Sequence, residues 1–271
     1  MFKLSEKKIG HKIIRDTLAD HLLAQKSDTL YLELNMTAIG NIDFELIRSS
    51  NDLSYQFMSS LKEIQKLKLF IIPSFSFSWG SKQETFSFNT KTHLGILPNY
   101  LINSNEINSL RTRDPMFSVI ISDLQGKGDN RWEKVINNSD SFGKNSIYSE
   151  LHKSNALLMN IGTNYFDPTF IHYVEQYFHE NISKLSYRDI KTFRGFYEGS
   201  EKLFSHRSFV RKDGISYNYN FDKVQADLHS ANILKYSKLG NANMISANAC
   251  EYFDFIFARL KLDKDYLIRA T

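Results

Sequence analysis

The chain has 271 residues, 42% hydrophobic and 24% charged, with 12 Gly, 4 Pro and one Cys. These proportions are near the globular average and exclude disordered, collagen-like and linker-dominated architectures, while the length is ample for a full core. Lys and Arg number 34 against 30 Asp and Glu, a net charge of +4, too small and too evenly spread for a nucleic-acid-binding chain. Apolar runs such as Leu69 to Ile72 fall far short of the roughly 18 residues of a membrane span. The N-terminus, MFKLSEKKIGHK, lacks the apolar region of a secretory signal. A lone Cys250 forms neither an internal disulfide nor a cysteine-based metal cluster, which fits a reducing compartment and a cytoplasmic protein.

From Glu6 to Gln25, Ile9, Ile13, Ile14, Leu18, Leu22 and Leu23 recur at helical spacing. After a turn at Lys26 to Asp28, Leu30 to Leu34 reads as a strand. An Asn51-Asp52 cap signal opens a second helix, with Leu53, Phe57, Leu61 and Ile64 on one stripe. Leu67 to Ile72, ended by Pro73, is a second buried strand. Strand, helix, strand predicts an α/β fold. Further strands are expected at Phe117 to Ser122 and Ala156 to Ile161, and helices at Thr169 to His179 and Cys250 to Leu260. Asp213-Gly214 lies between alternating segments and signals a hairpin. Without a repeat or long linker, residues 1–271 read as one domain: a three-layer αβα sandwich around a mostly parallel or mixed sheet, with a C-terminal hairpin.

In such folds chemistry sits in the loops beyond the C-terminal ends of strands. The loop after Ile161 reads GTNYFDPTFIHYVE and brings Gly162, Asp167, Thr169, His172 and Glu175 to the start of a helix, with Pro168 at its entry. Spaced three apart, His172 and Glu175 share a helix face, where a carboxylate fixes the imidazole tautomer and raises its basicity. Alone, such a pair is commonly a solvated surface neighbour. Its place after a strand and at a helix N-terminus, with the Thr169 hydroxyl one turn earlier, points instead to a general base beside developing negative charge. His179 continues the same face and leaves open a zinc site of His172, Glu175 and His179, although the HExxH spacing is absent. His11, His21, His152, His206 and His229 read as surface residues, His93 stays open, and Cys250 reads as a small core residue. No P-loop, GxGxxG or GxSxG motif is present.

Taken in order, LYLELNMTAIG (30–40), IIPSFSFS (71–78), THLGILPNYL (92–101), RTRDPMFSV (111–119), SFGKNSIYSEL (141–151), ALLMNIG (156–162), PTFIHYVE (168–175) and NANMISANAC (241–250) resemble the aminoglycoside 3-N-acetyltransferase family. The most specific element is TxxHxxE, here Thr169, His172 and Glu175. The resemblance implies acetyl-CoA as co-substrate without a metal, and direct acetyl transfer to a sugar amine. His172 would be the base, Glu175 its orienting partner, and Thr169 or backbone amides the oxyanion donors. It further implies a coenzyme channel lined by Leu34, Asn35, Met36, Thr37, Ser74, Arg111, Thr112, Phe142, Gly143 and Ser146. Two departures stand out: the family's His-Ser-Ser-Leu is Glu33-Leu34-Asn35-Met36 here, and its RSxHP is Arg111-Thr112-Arg113-Asp114-Pro115.

Glu33, Asp114 and Asp167 are the expected acceptor-binding carboxylates, balanced by Arg111, Arg113, Arg188 and Lys191. With a pI of about 8.9, that balance predicts a singly aminated sugar precursor or sugar nucleotide as acceptor. The alternative is an aminoglycoside and antibiotic resistance; a metal-dependent hydrolase and a non-catalytic sugar-binding protein are further readings. The expected partners are small molecules, not nucleic acid or membrane, and the oligomeric state is left open.

Overall fold

The computed structural model describes residues 10–40, 48–79, 85–104, 108–126 and 132–270. Side chains on a strand alternate between faces, so a strand covered on both sides must be apolar throughout. Leu30 to Leu32 of strand β1 (Thr29–Leu34) follow this rule, Leu30 and Leu32 entering one core and Tyr31 the other, while Glu33 and Leu34 at its end are partly exposed. Strands β2 (Leu69–Pro73) and β5 (Leu157–Ile161) are buried along their whole length and flank β1 in parallel. Strands β4 (Val119–Asp123) and then β3 (Ser109–Arg111) extend the sheet antiparallel beyond β2. Strands β10 (Ala242–Asn248) and β9 (Lys235–Leu239) extend it antiparallel beyond β5. The result is a seven-stranded mixed sheet in the order β3-β4-β2-β1-β5-β10-β9.

Helices cover both faces. On one, α1 (His11–Gln25), α2 (Ser50–Lys62) and α3 (Ile96–Asn103) set Ile14, Leu18, Phe57, Leu61 and Leu97 against Leu30, Leu32, Phe70 and Met159. On the other lie the short α4 (Glu133–Ile136), α5 (Ile147–Lys153), α6 (Ile171–Asn181), α7 (Phe221–Ser230) and α8 (Ala249–Leu262). They pack Tyr148, Leu151, Val174, Phe178, Val224 and Ile256 against Tyr31, Ile71, Leu158 and Ile245. This is the expected αβα sandwich. Among the described residues no helix is long and apolar enough to cross a membrane.

Local differences from the sequence reading have local causes. Residues Glu6 to Ile9 of the first expected helix lie outside the described residues. The cap of α2 is Ser49, whose hydroxyl accepts the Asp52 amide at 3.1 Å, so the signal sat two residues earlier than expected. Asp213-Gly214 does form a turn, with Gly214 at φ 74°, but its flanking strands part. Strand β7 (Phe204–Arg211) pairs with β6 (Arg188–Gly195), whereas β8 (Tyr217–Tyr219) pairs with β11 (Ile268–Ala270). The full-length register with β6 outcompetes a pairing across the turn. The C-terminal hairpin is β9–β10.

The C-terminal ends of β1 and β5 meet at Leu34 and Ile161. There the loops after both strands close on each other at Gly162: a Cβ would lie 2.6 Å from Ala38 Cβ and 2.8 Å from the Asn35 carbonyl, and φ is 74°. Only glycine fits.

Candidate active site

Helix α6 starts beyond β5 and carries both residues of the expected dyad. His172 Nδ1 lies 2.8 Å from Glu175 Oε2. The Glu175 side chain is fully buried and that of His172 is 17% exposed. The rings of Phe142 and Phe117 stand edge-on to the imidazole at 5.5 and 6.3 Å, forming an apolar wall.

Two residues absent from the expected site complete it. Arg188, the first residue of β6, places Nη1 2.9 Å from His172 Nδ1 and 3.5 Å from Glu175 Oε2. The same Nη1 donates to Tyr219 Oη at 2.6 Å, and Nη2 donates to the Phe209 carbonyl. The Tyr219 hydroxyl, from β8, donates to Glu175, with oxygens at 2.9 and 3.0 Å. Burial pushes Glu175 upward, but Arg188, His172 and Tyr219 outweigh it and hold the carboxyl below its ordinary range. At Nδ1 an ionised carboxylate that only accepts, at 2.8 Å, meets a guanidinium that only donates, at 2.9 Å; the nearer Glu175 assigns the proton to Nδ1, and Arg188 then acts on the ring through its charge. Nε2 is left with its lone pair. Burial, then the Arg188 charge, lower the His172 pKa to about 4 against the pull of Glu175. The imidazole is therefore neutral near pH 7.

Thr169 faces another carboxylate. Its amide donates to Glu33 Oε1 at 2.8 Å, and the Tyr31 hydroxyl donates to the same oxygen at 3.0 Å. Burial raises Glu33 to about 7. Asp167, which accepts from Asn160 Nδ2 at 3.1 Å, is likewise raised by burial. Asp114 is placed differently from the expectation. It accepts the Met116 and Phe117 amides at 2.8 and 2.9 Å and pairs with His206 Nε2 at 3.1 Å. His206 is buried, 1% exposed, which corrects its reading as a surface residue: it balances the carboxylate standing where the family has histidine.

The expected coenzyme residues divide into three groups. Leu34, Asn35, Met36 and Thr37 line a cavity of about 340 Å3 with His93 to Pro98, at the start of α3. Arg111 is buried and bound by protein groups: Nε donates to Ser74 Oγ at 3.1 Å, Nη1 to the Phe88 carbonyl at 3.1 Å, and Nη2 to the Ser74 carbonyl. Thr112 Oγ1 accepts the Val119 amide at 3.0 Å. Arg111, Ser74 and Thr112 thus brace the sheet edge. Phe142 abuts His172, Gly143 packs on Asp140, and Ser146 caps α5 by accepting the Ser149 amide.

His179 Nδ1 accepts the Leu185 amide at 3.1 Å, and among the described residues no cluster of three or more His, Cys, Asp or Glu is arranged for a metal. The zinc alternative thus finds no support in the geometry. Tyr219 escaped sequence reasoning, and Arg188 was expected only as a cation balancing the acceptor carboxylates, because a short strand and a separate antiparallel ribbon deliver them to α6 without a local motif.

A buried His–Glu pair at the strand ends of a three-layer α/β fold defines a candidate acid–base site for group transfer. The profile described as aminoglycoside 3-N-acetyltransferase matches residues 74–261, and the chain belongs to that family. It is an acetyl-CoA-dependent N-acetyltransferase with acetyl-CoA as co-substrate. Solved structures share the fold. The aminoglycoside acetyltransferase AAC(3)-Xa superposes with TM-score 0.70 at 15% identity, covering 97% of this chain and 95% of that one. AAC(3)-IVa as apoenzyme gives 0.69 at 14%, covering 98% and 93%. The YokD protein from Bacillus subtilis gives 0.65 at 15%, covering 93% and 98%. No curated protein matches the chain.

Proposed function

We propose that the protein transfers the acetyl group of acetyl-CoA to an amine of an aminoglycoside-type amino sugar, with His172 as general base. The observation that carries this reading is the His172–Glu175 pair at 2.8 Å, which assigns the proton to Nδ1 and leaves the Nε2 lone pair to act as the base. A base in this state accepts the proton lost by the attacking amine, while Glu175 stabilises the imidazolium that forms. Transfer then proceeds directly from thioester to amine, and the thiolate is a good enough leaving group to need no covalent enzyme intermediate.

The cavity between Leu34 to Thr37 and His93 to Pro98 would receive the coenzyme. Leu34, Met36, Leu97 and Pro98 offer an apolar wall suited to the pantetheine arm. The start of α3 has no side-chain cap, so its amides suit a phosphate. A relative in the family's fold, AAC-IIIb, was solved with CoASH.

For the acceptor, the comparisons favour the aminoglycoside alternative over the sugar nucleotide expected from net charge. AAC(3)-IVa was solved with a gentamicin and AAC-VIa with sisomicin. In this chain, Glu33 and Asp167 have no cationic side chain paired with them among the described residues, and an ammonium group would satisfy both. Whole-chain charge was a poor guide because Asp114 and Arg188 are engaged inside the protein, Asp114 by the Met116 and Phe117 amides and Arg188 by Glu175 and Tyr219. Steady-state CoA release with gentamicin, sisomicin and a nucleotide-linked amino sugar tests the assignment. The expected result is a higher kcat/KM for the polyamines; a preference for the nucleotide sugar would restore the precursor reading.

A further inference from the structure

We infer that Arg188 is a positioning residue that keeps the His172 ring uncharged, so that the acceptor amine must arrive already neutral. The inference rests on His172 being the base. It concerns when the proton moves, and therefore which amines react.

Arg188 cannot swing away from the ring. Its side chain is 6% exposed, Nη2 is bound to the Phe209 carbonyl, and the guanidinium lies 5.1 Å from the Phe209 ring centroid. Nη1 approaches both ring nitrogens, at 2.9 Å from Nδ1 and 3.5 Å from Nε2. The groups facing His172 are few. Glu175 comes from its own helix, Arg188 from β6 and Tyr219 from β8, while Phe117 and Phe142 bring no charge. Tyr187 and Tyr217 stand behind Glu175 and Arg188. A solvated His–Glu pair would be easier to protonate than free histidine. Here the guanidinium and burial oppose the second proton, and the ring's pKa falls to about 4.

A sugar amine with a pKa near the roughly 7.7 to 8.0 of an α-amino group cannot pass its ammonium proton to such a ring without a large uphill step. The sequence that balances starts from neutral amine. Its lone pair forms the N–C bond, and the thioester carbonyl takes the electrons as an oxyanion. The nitrogen of this adduct is a far stronger acid than the ammonium, and its proton moves to Nε2. Collapse of the oxyanion breaks the C–S bond, and the thiolate takes the proton from Nε2, giving amide and CoASH.

The consequence is that the acid limb of kcat/KM follows the amine of the acceptor and not the imidazole. Profiles with two acceptors of different amine pKa should have limbs displaced by that difference. Independently of turnover, NMR of 15N-histidine-labelled protein should show His172 protonated on Nδ1 and bare at Nε2 down to about pH 5. Arg188→Gln should raise the imidazole titration by about one unit or more, while Arg188→Lys, which retains the charge, should shift it by less than about half of that.

A wild-type ring already charged at about pH 6, or a titration unmoved in Arg188→Gln, overturns the inference. Should Arg188→Gln fail to fold, the wild-type titration and Arg188→Lys decide it: a rise of about one unit in Arg188→Lys would contradict the role of the charge. Undiminished turnover by His172→Ala would instead overturn the reading of the base, an outcome the NMR titration does not share.

Discussion

Glu33 accepts the backbone amide of Thr169 at 2.8 Å, joining the end of the central strand β1 to the turn that opens α6. The contact fixes the helix carrying His172 relative to the sheet and holds a half-buried carboxylate beside Asp167. Glu33→Gln keeps an acceptor for the amide but removes the charge. The expected outcome is a KM for polyamine acceptors about tenfold higher, equivalent to about 1.4 kcal/mol, with little change in the KM for acetyl-CoA. Equal rises in both, or in neither, would show that Glu33 does not meet the acceptor.

Asp114 and His206 are buried partners, 3.1 Å apart, that tie the loop after β3 to β7. Removing the charge of the carboxylate weakens the bonds it accepts from the Met116 and Phe117 amides, so Asp114→Asn should lower stability by about 1.5 to 3 kcal/mol, read from urea unfolding. Because the carboxylate faces protein groups, the acceptor KM should stay near the wild-type value. A stable Asp114→Asn variant with a greatly raised acceptor KM would return Asp114 to the substrate site.

Acidification should weaken the fold through His172. Its folded pKa of about 4 lies below the ordinary 6.5, so the unfolded chain takes up the proton first. The stabilising contribution is complete above pH 6.5 and is lost as pH falls from 6.5 towards 4, at about 1.4 kcal/mol per pH unit. Urea unfolding of wild type and His172→Gln across this window measures it. Glu33, raised to about 7, contributes a slope of opposite sign over the same window, so the His172 contribution is the difference between the two proteins: the substitution should lower the rise of stability with pH relative to wild type, and identical slopes would place the titrating group elsewhere.

Cys250 is not poised as an acyl carrier. Its thiol donates to the His152 carbonyl at 3.2 Å, and burial, with Asp254 and Glu251, pushes its pKa up. It therefore stays a thiol near neutrality. Cys250→Ser should retain activity, and intact-protein mass spectrometry after acetyl-CoA addition should show no adduct. An acetyl group trapped on Cys250 would contradict direct transfer.

What the sequence revealed depended on how local the determinant was. The mostly apolar runs at Leu30 to Leu34, broken by Glu33, and Ala156 to Ile161, broken by Asn160, predict central strands because burial on both faces demands them, and the shared face of His172 and Glu175 follows from their three-residue spacing on a helix. The divergence of β7 and β8 at Asp213-Gly214 was illegible, since the choice of partner strand is made by β6 and the C-terminal segment. Arg188 shows the same limit: from sequence it is one of four cations balancing the acceptor carboxylates, yet pairing of β6 with β7 brings it against the imidazole. Arg111, a motif residue expected in the coenzyme channel, has its guanidinium on Ser74 and the Phe88 carbonyl, partners that no motif foretells.

The most direct measurement of the central claim is the turnover of His172→Ala with saturating acetyl-CoA and a polyamine acceptor, alongside coenzyme affinity by calorimetry. Loss of a general base costs about 10²- to 10⁴-fold, so kcat should fall by at least about two orders of magnitude while the fold and coenzyme affinity persist. Near-wild-type turnover by a folded His172→Ala across the pH range would contradict the assignment of His172 as the base.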